Sequence, residues 1–135
     1  MSAMADRLRQ IRRMIAVQEE LFRIAERKVA DLEARRIANA EAQGEVLRAL
    51  GAENALHGLF LEQASRRLAA LSREGDRIAR ETDEARAALL GEGRRLKQAR
   101  RFGTAIEDEE RRRQEARELE DVIDRIAGGR SASLP

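Results

Sequence analysis

Apolar residues along the first third of the chain recur at alternating intervals of three and four: Leu8, Ile11, Ile15, Phe22, Ala25, Val29 and Leu32, with Gln18 in phase. This spacing brings one residue per turn to a single helix face and makes a heptad seam. The same phase continues through Arg36, Asn39 and Gln43 to Val46 and Leu50, so the seam has a polar middle. A second seam runs Leu61, Ala64, Leu68, Leu71, Gly75, Ile78, Thr82, Ala85, Leu89, Glu92, Leu96, Ala99, Gly103 and Ile106 without a phase break. Two long helices joined by a turn are predicted.

Two stretches could turn the chain. "GAENALHG", residues 51–58, supplies two glycines and an asparagine, residues that readily enter left-handed or capping conformations. "SREGD", residues 72–76, supplies Gly75 beyond a helix end and Asp76 as an N-cap. A turn at 51–58 sets Leu50 against Leu61, Leu32 against Ile78, Phe22 against Leu89 and Ile11 against Ala99, with Arg36 facing Gly75. The rival turn sets Arg36 near Arg113, a like-charge pair in the seam, although it buries Leu119 and Ile123 against Val29 and Ala25. The first is favoured. The expected fold is all-α: two long helices forming an antiparallel coiled-coil hairpin in a single domain, 1–127. Its helices span about 5–50 and about 59–127 around the 51–58 turn, and a glycine cap at Gly128 precedes a disordered tail, 128–135.

Composition agrees with this reading. The 135 residues are 39% charged and 2% aromatic, with one proline, so there is little bulk to fill a wide interior. Ala, Leu, Arg and Glu favour helix because they lose little side-chain freedom there, and together they are the composition of long helices and coiled coils. The net charge of +2 is the small difference between 27 bases and 25 acids. The absence of cysteine removes disulfide and thiolate chemistry and fits a reducing compartment. Arg7, Arg9, Arg12 and Arg13 are not followed by an apolar block of signal-peptide type, and no run approaches the length of a membrane span. A cytoplasmic chain is expected.

With the turn at 51–58, the second helix outruns the first by about 20 residues, or roughly 30 Å at 1.5 Å per residue. This overhang holds "AIEDEERRRQEARELEDVI", residues 105–123. Its apolar residues Ala116, Leu119, Ile123 and Ile126 are displaced by one position from the phase that ends at Ile106. A displaced stripe suits a different neighbour. Glu107 with Arg111, Asp108 with Arg112 and Glu109 with Arg113 have i,i+4 spacing in the favourable order, so the helix can persist unsupported. Leu119, Ile123 and Ile126, with Arg111, Arg112 and Arg113, are therefore candidate partner-binding residues; the opposing reading is a solvated, self-bridged helix end. On the first helix, Met14, Val17, Leu21 and Ile24 form a second stripe beside the seam, wider than a two-stranded coil needs. It is a second candidate contact face, or a site of self-association.

The sequence argues against an enzyme. His57 is the only histidine and falls in the proposed turn, so the chain cannot build a histidine triad or a histidine pair on zinc. Its carboxylates have arginine neighbours on extended helices, where such pairs are usually solvated ion pairs. "GEG" at 91–93 lacks the preceding strand of a phosphate-binding loop. No catalytic residue, cofactor, metal or small-molecule substrate is expected.

A basic cluster in "RRLKQARRF", residues 94–102, contains Arg94, Arg95, Lys97, Arg100 and Arg101 with no acid between them. With Arg7, Arg9, Arg12 and Arg13 opposite, it would form a basic collar able to follow a phosphate backbone. Aromatic platforms for bases are nearly absent, since Phe22, Phe60 and Phe102 are the only aromatic residues. An acidic protein surface fits the collar better than nucleic acid.

A chain of this size built on two seam-bearing helices, opening with "RLRQIRRMIAVQEELFRIAERKVADLEARR" and closing with "RRRQEARELEDVIDRIA", resembles the FliJ family of flagellar export proteins. It resembles equally their counterparts, the stalk proteins of virulence type III secretion. The resemblance covers nearly the whole chain, and its most similar part is the mixed Arg and Glu leading into "ELEDVID". It implies a stalk role similar to that of the gamma subunit of rotary ATPases. The terminal end of the hairpin would enter a hexameric ring of export ATPase, and the turn half would reach the export gate protein of the inner membrane. Export chaperones are further partners of this kind of protein. A generic coiled-coil scaffold or dimerising adaptor is the alternative; flagellar and virulence export both stay open.

Overall fold

A computed structural model describes residues 3–52 and 58–132, and its described residues form two helices, α1 (Ala3–Gly51) and α2 (Gly58–Ala132). They pack against each other as an all-α helical hairpin. Both helices are built from strong helix formers and contain no proline, since the single proline is Pro135. Asp6 in the first turn of α1 and Arg48 in its last turn complement the helix dipole. At the end of α1 the amide of Ala52 donates to the carbonyl of Ala49 at 3.3 Å, tightening the last turn. Residues 53–57 of the expected turn, His57 among them, lie outside the described residues. The rival turn at 72–76 is excluded, because α2 runs through it unbroken.

Packing divides the hairpin into two units, with breaks between Glu19 and Glu20 on α1 and between Arg94 and Arg95 on α2. In the unit that holds residues 20–94, the buried apolar side chains are Leu32, Ala64, Leu71, Ile78 and Ala85. Two polar residues join them. Thr82 is fully buried, and its hydroxyl donates to the Ile78 carbonyl at 2.7 Å, which satisfies it within its own helix. Asn39 donates from Nδ2 to the Leu71 carbonyl at 2.9 Å and accepts from Gln43 Nε2 at 2.6 Å. Arg86 reaches Glu33 across the helix pair at 2.7 Å, and this bond raises the Arg86 pKa above its already high ordinary value. The other unit buries Ile11, Leu96, Ala99 and Ile106, and Arg100 stands 3.7 Å from Glu19 across the pair. Within each unit, higher positions on α1 meet lower positions on α2, so the pairing is antiparallel in both.

Every buried residue named above except Asn39 is an apolar or threonine member of one of the two predicted seams, and Asn39 belongs to the polar middle of the first. The register differs by about one turn at three glycines, Gly75, Gly93 and Gly103, the last of which lies against Ile11 and Ile15 in place of the expected match of Ile11 with Ala99. Gly75 faces Asn39 and Gln43, not Arg36: a Cβ built on Gly75 would lie 2.8 Å from Asn39 Oδ1 and 3.4 Å from Gln43 Nε2. Arg36 is exposed. The ring of Phe22 likewise sits over Gly93, with Cε2 3.4 Å from a built Cβ, one turn beyond the expected partner Leu89. The physical reason is that glycine opens a space for a bulky or polar side chain. Matching large residues with large ones overlooks that.

The C-terminal expectation is also corrected. α2 continues through Gly128 and Gly129 to Ala132, and neither glycine has the positive φ of a cap. Arg130 in the last turn sits where a cation favours the carbonyl end of the dipole. Residues 133–135 of the expected tail lie outside the described residues.

One glycine in the middle of α2 has no such packing role. A Cβ on Gly91 would meet nothing within 4 Å. Gly91→Ala is therefore expected to raise stability by about 0.5 to 1 kcal/mol through helix propensity alone. Urea unfolding checks it as a higher midpoint at constant slope.

Candidate docking surfaces

Beyond Glu110, every residue of α2 from 111 to 130 is exposed. Leu119 is 61% exposed, Ile123 55% and Ile126 53%, the level of side chains with no tertiary neighbour. Val122 is exposed beside them. Positions 119, 122, 123 and 126 fall on one helix face, so the segment presents a continuous aliphatic stripe. Val122 was not among the residues picked from the sequence, although it lies three positions from Leu119; following a single heptad phase passes over it. A shallow depression lined by Ile123, Ile126, Ala127 and Arg130 marks the distal end of the stripe.

The helix supports itself at the base of this stripe. Arg113 pairs with Glu109 at 2.8 Å, the expected i,i+4 contact. Arg111 pairs with Asp108, three residues back, in place of Glu107. That leaves Asp108 bonded to Arg111 and not to Arg112, because the short aspartate side chain reaches i+3 as well as i+4. All three arginines are exposed. Exposed pairs of this kind contribute at most about 1 kcal/mol each, and their main effect is to keep the backbone helical where no neighbour helps.

The second stripe is exposed residue by residue. Met14 and Val17 lie in one unit and Leu21 and Ile24 in the other, and none is covered. The basic residues proposed as a collar are distributed in the same way: Arg94 belongs to the 20–94 unit, and Arg95, Lys97, Arg100 and Arg101 to the other. All five are exposed. Some of the positive charge already has acid partners, since Arg100 lies near Glu19 and Arg9 pairs with Asp6.

A further apolar area was missed from the sequence. Leu59, Phe60 and Leu61, in the first turn of α2, are exposed, as is Leu47 on α1. Phe60 helps to line a groove with Val46, Ala49, Ala64 and Arg67. Leu61 is a predicted seam position, yet it is 42% exposed. The run of three consecutive apolar residues was the available signal, because one helix turn cannot bury all of them against a single partner helix.

No helix among the described residues is long and apolar enough to cross a membrane, and no group of three or more His, Cys, Asp or Glu residues is placed to hold a metal ion. No protein-family model, curated protein or solved structure matches the chain.

Proposed function

We propose that the chain is a non-enzymatic stalk or adaptor of a type III protein export apparatus of the flagellar kind, linking an export ATPase hexamer to the membrane export gate. The observation that carries the reading is the exposed α2 segment 111–130, whose aliphatic stripe at Leu119, Val122, Ile123 and Ile126 is uncovered among the described residues. A ring interior lined by apolar and charged groups would cover it. The exposed Leu47, Leu59 and Phe60 supply a second contact area in the 20–94 unit, suited to the gate. The resemblance to the FliJ family gives these two surfaces their particular partners, and places the chain in the cytoplasm at the inner-membrane apparatus; export chaperones are additional partners of this reading. Pull-down with the cognate secretion ATPase tests it, and retention of full binding after loss of the stripe would remove its support.

The second reading is a coiled-coil scaffold that dimerises through Met14, Val17, Leu21 and Ile24, all of which are exposed. Mass in solution separates the two: a stalk is monomeric before assembly, a scaffold dimeric or larger.

A further inference from the structure

Two glycines on α2 receive large side chains from α1 at distances that admit no other residue without movement. In the 20–94 unit, a Cβ on Gly75 would stand 2.8 Å from Asn39 Oδ1. Asn39 is held there by its 2.9 Å bond to the Leu71 carbonyl and by Gln43, whose Nε2 donates to Asn39 Oδ1 at 2.6 Å. In the other unit, a Cβ on Gly103 would stand 2.9 Å from Ile15 Cδ1 and 3.2 Å from Ile11 Cγ2. Gly103 and Ile11 are both buried. We propose that these two fits, Asn39 with Gln43 over Gly75 and Ile11 with Ile15 over Gly103, commit α1 to pair with α2 and keep either helix from pairing with its like in a second copy.

The same two seams could pair in more than one way. Both seams are heptads, and heptads alone do not distinguish a hairpin from a homomeric coil. In a parallel α1 pair, Asn39 and Gln43 would face themselves with no glycine to receive them and without the Leu71 carbonyl that accepts from Asn39. Arg36, exposed in the hairpin, occupies a position in the α1 seam phase and would face its like-charged copy. In a parallel α2 pair, Gly75 would face Gly75 and Gly103 would face Gly103, leaving gaps where side chains should interdigitate. Of these three pairings, α1 against α2 alone sets a large residue over each glycine and satisfies the buried asparagine. A buried polar residue at one seam position choosing the partner, at some cost in stability, is the established use of such layers.

This inference rests on the fold and not on the export reading, and its test needs no partner protein. The full chain is compared with Gly75→Ala/Gly103→Ala, and with Gly91→Ala/Gly128→Ala as a control in which the new methyl groups meet nothing within 4 Å. Thermal unfolding and mass by light scattering are read on each. The natural chain is expected to be monomeric. The Gly75/Gly103 variant is expected to melt about 3 to 8 °C lower, against its higher helix propensity, and to gain mass with concentration, while the control melts higher as a monomer. Adding Asn39→Ala to Gly75→Ala is expected to recover at least half of the loss seen with Gly75→Ala alone; this single-layer comparison decides the matter if the double variant does not fold. A Gly75/Gly103 variant that melts higher like the control, or an absent rescue, would overturn the proposal. A lower melting point with unchanged monomer mass would overturn it too, because the fits would then be packing without partner choice.

Discussion

Leu32→Ala is expected to destabilise the hairpin by about 2 to 4 kcal/mol, near the lower part of the range for buried leucine truncations. Leu32 is 4% exposed, one of the few α1 side chains fully enclosed by the pairing. The discount has a physical origin: in a two-helix structure the walls of a new cavity can collapse or admit water more easily than in a thick core. Leu119→Ala, at 61% exposure, serves as the paired control and is expected to change stability by no more than about 0.5 kcal/mol. Urea titration gives both values from midpoints at constant slope. Equal effects at the two positions would mean that Leu119 is covered in solution, and the uncovered segment of α2 would lose its meaning.

Leu119→Ser/Ile123→Ser is expected to leave folding nearly intact and to weaken binding to the cognate export ATPase by about 2 to 4 kcal/mol. That figure comes from roughly 1.5 to 3 kcal/mol per fully buried aliphatic side chain, discounted for incomplete burial. In equilibrium terms it is a fall of about 30-fold to 1,000-fold in affinity. Reversing Arg111, Arg112 and Arg113 to Glu should also weaken binding, but in a manner that fades with salt, since exposed charges act mainly on encounter and are screened within about 10 Å at 0.1 M. The serine variant should show little salt dependence of its loss. Unfolding and affinity are measured on the same preparations. Intact folding with unchanged affinity would return the stripe to a solvated helix face.

The seams were legible because they depend on spacing alone. Leu32, Ile78, Ala85, Leu96 and Ile106 are buried as their heptad phase requires, and α2 runs unbroken through 72–76, as a continuous second seam requires. The uncovered stripe was legible for the same reason: Leu119 and Ile123 leave the phase that ends at Ile106. Register was not. It is set at Asn39 and Gly75 by a side-chain bond to a main-chain carbonyl, and sequence spacing carries no information about which carbonyl lies within reach. The C-terminus misled for a different reason. Gly128 and Gly129 are strong stop signals in isolation, yet the helix passes through both, and a glycine only permits a left-handed cap without imposing one.

The arginines of the uncovered segment give it a chemical vulnerability as well as a surface. Arg111, Arg112, Arg113, Arg117 and Arg125 are all exposed on a helix held by local bonds only, so brief opening of a single turn presents each to trypsin. The same enzyme meets arginines throughout the paired region, but there a cut requires the two helices to part. Limited digestion should therefore trim the distal part of α2 first and leave a paired remnant. A bound partner that covers Leu119 to Ile126 should slow that first cleavage and leave the later ones unchanged.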